Sequence, residues 1–551
     1  MGEARYGRGA GASRRVPDDE PPREFHWADL NVPYLIESGR LTVVGWCVLF
    51  AVVTFGLLWF LGPKDTAFSF QVSQANNLIH GHLDMNPQYT RNFGVLERVL
   101  YDGDGFCFPP GDPQAALVSD ARISEDCRTF MQHSLGPAFI VLPGVLLFGV
   151  DLNQTLVSVI FAAMTAPIVF LIARGLSKST ETRVWLTVLM VFGTIFFWVG
   201  ANGGVWFFAH TTATFFLFGA IYFTLTRPNP LYAGALLGAA FMARPTVSMT
   251  GLFFVIMFAH LWLRPPEGGR SLLGRINWEP VAAFFAGVSP FVLTTMAINY
   301  SRFDNPVESG YNFSEQLHQD QLAFVYTDGT FHPGYIERHP PIVLEQMPIF
   351  QDTAPYILPS WAGMAIWTTT PAFFYALFAG IKERIVLIIG GAAVGLAAAV
   401  ILSRGVGRAW DWGWATTEIP LGIHLLPFWA MIGAAVVYSL IHRDRLIAAC
   451  WAAIIPTAFF IFNFAATGWS QFGYRYGLDF TPFLWLLVAR AIGDEIKWHH
   501  KVLISIGVLV NLMGLLWIYQ LDDPNTALGG FLRDILDVLG DDPSRWTWVR
   551  F

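Results

Sequence analysis

The chain has 551 residues, of which 54% are hydrophobic and only 14% charged, and its net charge is −7. Soluble domains carry about 25% charged residues, so most of this chain belongs in lipid, and no basic block suggests a nucleic-acid partner. A mean hydropathy of +0.45, with 21 Trp and 48 Phe, suits lipid-facing helices flanked by interfacial aromatic belts.

Residues 1–40 are polar and rich in Arg, Gly and Pro, and read as a disordered cytoplasmic tail. A span needs about 20 apolar residues. Such runs fall near 41–61, 154–175, 184–201, 207–226, 231–243, 246–263, 279–300, 361–381, 385–402, 420–440, 446–466, 479–493 and 501–519. The expected architecture is therefore an all-α integral membrane protein with about thirteen transmembrane helices. With the N-terminus inside, the loops 174–183, 226–230, 264–275, 382–384, 442–445 and 497–501 all carry Lys or Arg on the cytoplasmic side. A membrane domain over 41–520 then projects two large outside loops, 62–153 and 301–360. An amphipathic tail, 521–551, follows outside.

The first outside loop begins "GPKDTAFSFQVSQANNLIHGHLDM". Asp65 there suits either a helix N-cap or a catalytic base. His80, His82 and Asp84 in "HGHLD" fit a metal or a proton relay weakly and read rather as loop residues. Asp102 and Asp104 in "YDGDG" form a D-x-D pattern that could offer hard oxygen ligands to a divalent metal, although DG strings also make turns. Cys107 and Cys127 share this loop and either form a disulfide or stay as two buried thiols. The apolar run 133–149 is short, and reading it as a span would invert every later loop, so a juxtamembrane helix at the outer surface is expected.

Leu231 to Leu263 is too short for two full spans and is interrupted by "ARPT". A hairpin of short helices fits, turning at Arg244 with Pro245 breaking the helix. A charge at that depth needs an anion, either a lipid phosphate or a buried carboxylate. His210 lies near the outer end of the 207–226 span. The segments 310–321, with Tyr311, and 408–414 place aromatic, amide and carboxylate groups outside, as sugar binding or surface anchoring requires. Arg475 in "YRY", flanked by Tyr474 and Tyr476, opens the 479–493 span from outside.

Taken together, "PKDTAFSFQVSQANNLIHGH", "SLGPAFIVLPGVLLFG", "GAAFMARPTVSMTG", "NPVESGYNFSE" and "GWSQFGYRYGLDFTPFLW" resemble the GT-C superfamily of polytopic glycosyltransferases. The likeness is to bacterial members related to the lipid A aminoarabinose transferases and the protein O-mannosyltransferases. The resemblance implies a GT-C fold in the bacterial inner membrane, with an active site on the extracytoplasmic face. It implies a polyprenyl-phosphate sugar donor, an acceptor hydroxyl on a glycan, lipid or protein, and inversion at the anomeric carbon. By resemblance Asp65 takes the catalytic position, Arg244 and Arg475 the donor phosphate, and Tyr474, Tyr476, His210 and Tyr311 the substrate. No cofactor is required on this reading, and a divalent metal at Asp102 and Asp104 stays open, as some members bind one through acidic loop residues. A phosphate leaves as an anion without a proton, so one carboxylate can suffice where a glycosidase needs two. The rival is a transporter or flippase of lipid-linked sugars. It fits less well, because the spans are poor in charge and no repeat is visible.

Overall fold

In a computed structural model of the protein, the described residues are 40–91, 93–94, 97–260, 276–350, 357–360, 363–380, 433, 437, 444–468 and 471–521. The chain divides into two units, Met1–Trp46 and Cys47–Phe551. Of the first, the described part is the opening of helix α1 (Arg40–Leu61). The rest of the description concerns the second unit. The expected tail 1–39, the span 385–402, the span 420–440 apart from 433 and 437, the loops 264–275 and 382–384, the aromatic segment 408–414 and the tail beyond 521 lie outside the described residues.

Helix α1 ends where Gly62 packs on Ala201, leaving no room for a side chain. Helix α2 (Phe70–Ile79) follows within the first loop. Strands β1 (Arg98–Tyr101) and β2 (Arg128–Met131) pair antiparallel, with Arg98 opposite Met131. A disulfide between Cys107 and Cys127, with a Cα–Cα distance of 5.9 Å, closes the segment between them. Helix α3 (Gly136–Phe148) is the apolar 133–149 segment. Its 13 residues reach about 20 Å at 1.5 Å each, short of a hydrocarbon core of about 30 Å.

Helix α4 (Gln154–Leu176) starts on an Asn153 cap and α5 (Thr180–Val191) on a Ser179 cap. The expected span 184–201 is broken: α5 stops at Val191 and α6 (Phe196–Gly200) restarts after a turn in which Thr194 Oγ1 accepts from the Phe196 amide. Helix α7 (Val205–Leu225) is long and largely buried. Helix α8 (Pro230–Ala243) is capped by Asn229, a 3-10 turn (Pro245–Thr250) follows, and α9 (Gly251–Phe258) completes a short hairpin with its break at Arg244. Helix α10 (Trp278–Phe303) lies along α8. Their backbones touch, since a Cβ on Gly234 would strike the Phe284 carbonyl and one on Gly287 the Leu231 carbonyl. Small residues make such close crossings in membranes.

The second large loop folds into short turns, the four-residue helix α11 (Glu315–His318) and a small antiparallel pair, β3 (Ile349–Phe350) with β4 (Ile357–Leu358). The expected span 361–381 is a correction. That segment forms α12 (Ile366–Thr369) and a separate 3-10 helix, Pro371–Phe378, because Pro371 cannot continue the helix and Thr370 turns away at φ −139°. Helices α13 (Arg445–Phe462), α14 (Thr481–Ile492) and α15 (Trp498–Leu516) follow.

Among the described residues, six helices are long and apolar enough to cross a membrane: Thr42–Leu61, Gln154–Leu176, Val205–Leu225, Trp278–Phe303, Arg445–Phe462 and Trp498–Tyr519. Shorter apolar helices stand at Gly136–Asp151, Pro230–Ala243, Pro245–Phe258 and Thr481–Ile492. The chain is thus a mostly helical protein whose long apolar helices suit a membrane, with two small antiparallel strand pairs among the described residues.

The two loops interlock. Arg98 Nη1 lies 2.6 Å from Asp112 Oδ2, and its Nε lies 2.6 Å from Glu315 Oε2 across 217 residues of sequence. Burial pushes the Glu315 carboxyl above its usual range, against the opposing pull of Arg98. Asp320 accepts from the Ser119 amide and hydroxyl at 3.1 and 2.7 Å, and Val99 bridges Ser314.

Candidate functional site

The loops and the helix ends enclose a cavity of about 530 Å³. Its polar wall begins at Arg244. Proline at 245 keeps Arg244 out of the helical region (φ −147°, ψ 106°), so α8 must end there. Arg244 makes a bidentate pair with Asp479, Nε to Oδ1 at 2.8 Å and Nη2 to Oδ2 at 3.0 Å, the strong fork geometry of arginine with a carboxylate. Thr246 Oγ1 donates to Asp479 Oδ2 as well. The anion that Arg244 requires is therefore a carboxylate of the chain itself.

Asp479 closes the 3-10 helix that Arg475 opens, Arg475–Asp479. Arg475 is buried, and Gln471 Oε1 accepts from its amide at 3.0 Å. The Tyr476 ring lies between the two guanidiniums, 5.6 Å from Arg244 Cζ and 5.3 Å from Arg475 Cζ, within cation–π range. His210, fully buried on α7, places its ring 6.0 Å from Tyr476 and its Nδ1 3.5 Å from Asp479 Oδ1. Arg244, Arg475, Tyr476, His210 and Tyr311 all line the cavity. Burial pushes the Tyr311 hydroxyl up to about 12, so it enters the site as a neutral donor and acceptor.

The other predicted residues stand elsewhere. Asp65 is exposed and is not among the residues lining the cavity; its Oδ1 accepts from the Thr66 amide at 2.8 Å. It is not the cap of α2 either, since Ser69, four residues on, holds that position. Asp65 comes three residues before Phe68, which lines the cavity. Tyr474 lies behind Tyr476, its hydroxyl 2.8 Å from His339 Nδ1. Asp102 pairs with Arg122 at 2.5 Å and accepts from the Asp104 amide at 3.1 Å, the geometry of an Asx turn. Among the described residues no group of three or more His, Cys, Asp or Glu stands ready to hold a metal. His80 stacks on Tyr89 at 4.0 Å, and His82 Nδ1 is 3.4 Å from Asp84 Oδ1.

Sequence reasoning missed several residues in and behind the wall. Asp479 follows Arg475 by four positions and was readable as the carboxylate that Arg244 needs. Glu97, buried beside β1, also lines the cavity, with its Oε2 2.5 Å from His133 Nε2. It reaches the cavity only because the Gln132 amide donates to its carbonyl at 3.0 Å across the hairpin, which no local pattern shows. Trp198, Trp206 and Tyr519 add aromatic surface. His339, which clamps Tyr474 and accepts no local signature, donates from Nε2 to the Phe464 carbonyl at 2.8 Å.

No family model matches the chain, and no curated protein or solved structure matches it. What the helices define is a class, an all-α membrane protein with a cavity walled by loops and helix ends.

Proposed function

We propose that the chain is a membrane-embedded glycosyltransferase of GT-C type that moves a sugar from a polyprenyl-phosphate donor to an acceptor hydroxyl at the extracytoplasmic face. The observation that carries this reading is the cavity itself. Two arginines stand on one wall and a carboxylate, Glu97, lines another, with aromatic rings between them. Mostly apolar pockets with a few convergent polar groups are the usual form of a ligand site, and aromatic faces suit a sugar ring.

In this mechanism the acceptor oxygen attacks the anomeric carbon while the carbon–oxygen bond to phosphate breaks. The electron pair leaves with the phosphate, and the anomeric configuration inverts. Arg475 faces the growing phosphate charge, and Arg244, already shared with Asp479, contributes its remaining N–H groups. On this reading Asp65, which is exposed, meets an acceptor arriving from water and takes its proton. Glu97 is the second carboxylate that could do so from inside the cavity.

The test is transfer in proteoliposomes, with a panel of polyprenyl-phosphate pentoses, hexoses and amino sugars and products read by mass spectrometry. One donor should yield polyprenyl phosphate and a glycosylated acceptor. Asp65→Asn should abolish transfer while donor binding persists, and Glu97→Gln run in parallel tells which carboxylate is the base. Movement of intact lipid-linked sugar across the bilayer with no covalent product would establish the flippase reading instead.

A further inference from the structure

The cavity has openings, and they differ in chemistry. Of the described residues that line it, Phe68, Pro245 and Phe331 are exposed. Phe68, 36% exposed, follows Lys64, Asp65 and Ala67, all exposed. Charged neighbours suit this opening to water and polar ligands.

Pro245 and Phe331 stand together at the last turn of α13. Arg445, at the start of α13, donates from Nη1 to His260 Nδ1 at 2.9 Å. The segment 245–260 therefore runs back along α13, and both the 3-10 turn and α9 pack against that helix. At about 2.0 Å per residue for the turn and 1.5 Å for α9, the two cover roughly 24 Å. The 18 residues of α13 cover about 27 Å. Pro245 thus reaches the end that carries Phe459, Phe460 and Ile461. Phe331 arrives there from the second loop, its ring stacked 5.4 Å from Phe460 and its backbone bridged to Phe464. Phe331 is 43% exposed and Phe459, on α13, 59%. From Phe464 the rings continue inward to Tyr476 at 6.1 Å, and from Tyr476 to Arg244 Cζ at 5.6 Å.

This second opening lies at membrane depth. Helix α8 has 14 residues and spans about 21 Å, with exposed Arg227 shortly before it. Measured from a membrane surface at Arg227, the break at Pro245 falls short of the roughly 30 Å of hydrocarbon. Its exposed side therefore meets lipid chains. Arg244, next to Pro245 and lining the cavity, sets a cation just within. A lipid with an anionic head and a single apolar chain matches both halves of this arrangement.

We propose that the isoprenoid chain of the donor leaves the cavity sideways here, over Phe331 and Phe460, and that the Phe68 opening is left to the acceptor. This rests on the donor reading given above and adds the path of the chain.

The experiment places p-benzoylphenylalanine singly at positions 331, 459, 68 and 293 of the full chain, in phosphatidylcholine nanodiscs carrying a small share of undecaprenyl phosphate. Leu293, exposed on α10, gives the bulk-lipid background. After irradiation, intact-mass spectra should show undecaprenyl phosphate joined at 331 and 459 well above its yield at 293, and none at 68. Phosphatidylcholine alone at 331, at the yield seen at 293, overturns the assignment. So does a cross-link from 331 to another segment of the chain, or capture of undecaprenyl phosphate at 68 and not at 331. A binding measurement guards against a probe that disturbs packing. Phe331→Glu sets a charge in the path of the chain, which is costly at membrane depth, and should weaken undecaprenyl phosphate about tenfold or more. Isopentenyl phosphate, whose chain is too short to reach the opening, should bind as in wild type. Unchanged undecaprenyl phosphate affinity, or an equal loss for both, overturns the path. Sugar transfer is followed in the same samples. Capture at 331 without transfer to any acceptor rejects the transferase and leaves the opening. Transfer without capture at 331 or 459 rejects the opening alone. Neither capture nor transfer overturns both.

Discussion

Replacing Asp479 by Asn should move stability and phosphate affinity in opposite directions. Asp479 is 2% exposed and Arg244 16%. Breaking a buried ion pair from one side costs about 3–5 kcal/mol, and the partial water access of Arg244 places the expected loss near the low end, about 3 kcal/mol. The same change removes a negative charge from behind Arg244 and His210, which line the cavity. A phosphate about 5 Å from that carboxylate is repelled by roughly 3 kcal/mol at an effective dielectric of about 20, so the variant should bind undecaprenyl phosphate up to about 100-fold more tightly. Arg244→Met does the reverse for binding. It leaves Asp479 without its cation, and both stability and affinity should fall. Denaturant unfolding in detergent gives the first quantity and nanodisc binding the second. An Asp479→Asn protein as stable as wild type that binds phosphate more weakly would refute both the burial argument and the placement of the anion beside this pair.

Other outcomes follow from single contacts. Burial holds His339 neutral with its pKa lowered to about 4 from an ordinary value near 6.5. Its contribution is complete above about pH 6.5 and is lost as pH falls toward 4, by up to about 3 kcal/mol. His339→Phe should flatten the stability profile in that window, and an unaltered profile would remove His339 as its cause. The Cys107–Cys127 link spans 20 residues and should contribute roughly 3 kcal/mol to order in the first loop. The Cys107→Ala/Cys127→Ala protein should therefore be cut faster by protease between those positions, and equal cleavage rates would contradict this. Gly287→Ala forces α8 and α10 apart and should cost about 1–3 kcal/mol, whereas Gly56→Ala, with nothing within 4 Å, should be silent. A thermal melt that ranks them equally would show that the crossing is looser than described.

The long helices were legible because runs of 18 or more apolar residues leave few alternatives in lipid: α1, α4, α7, α10, α13 and α15 all fall where hydropathy puts them. The interruptions were not legible, because distant groups stabilise them. The Thr369 carbonyl at the end of α12 is satisfied by Asn511 Nδ2 at 2.7 Å, from a helix 142 residues away. The break after α5 lies where Gly507 of α15 passes against the Gly193 carbonyl. At the site, a break at Arg244 could be read from the proline beside it, and so could its need for an anion. The anion is 235 residues on. Glu97 carries no local mark at all, since a lone acid before a short strand says nothing about the cavity behind it.

The buried Arg98–Glu315 pair gives the two large loops a shared fate. A charge altered in one loop strands its partner in the other, so substitutions on either side must be matched across more than two hundred positions. Exchanging a single loop between homologous chains would break the seam, while exchanging both together would carry the whole upper wall of the cavity with them. Whatever this protein selects at its mouth is inherited as a pair.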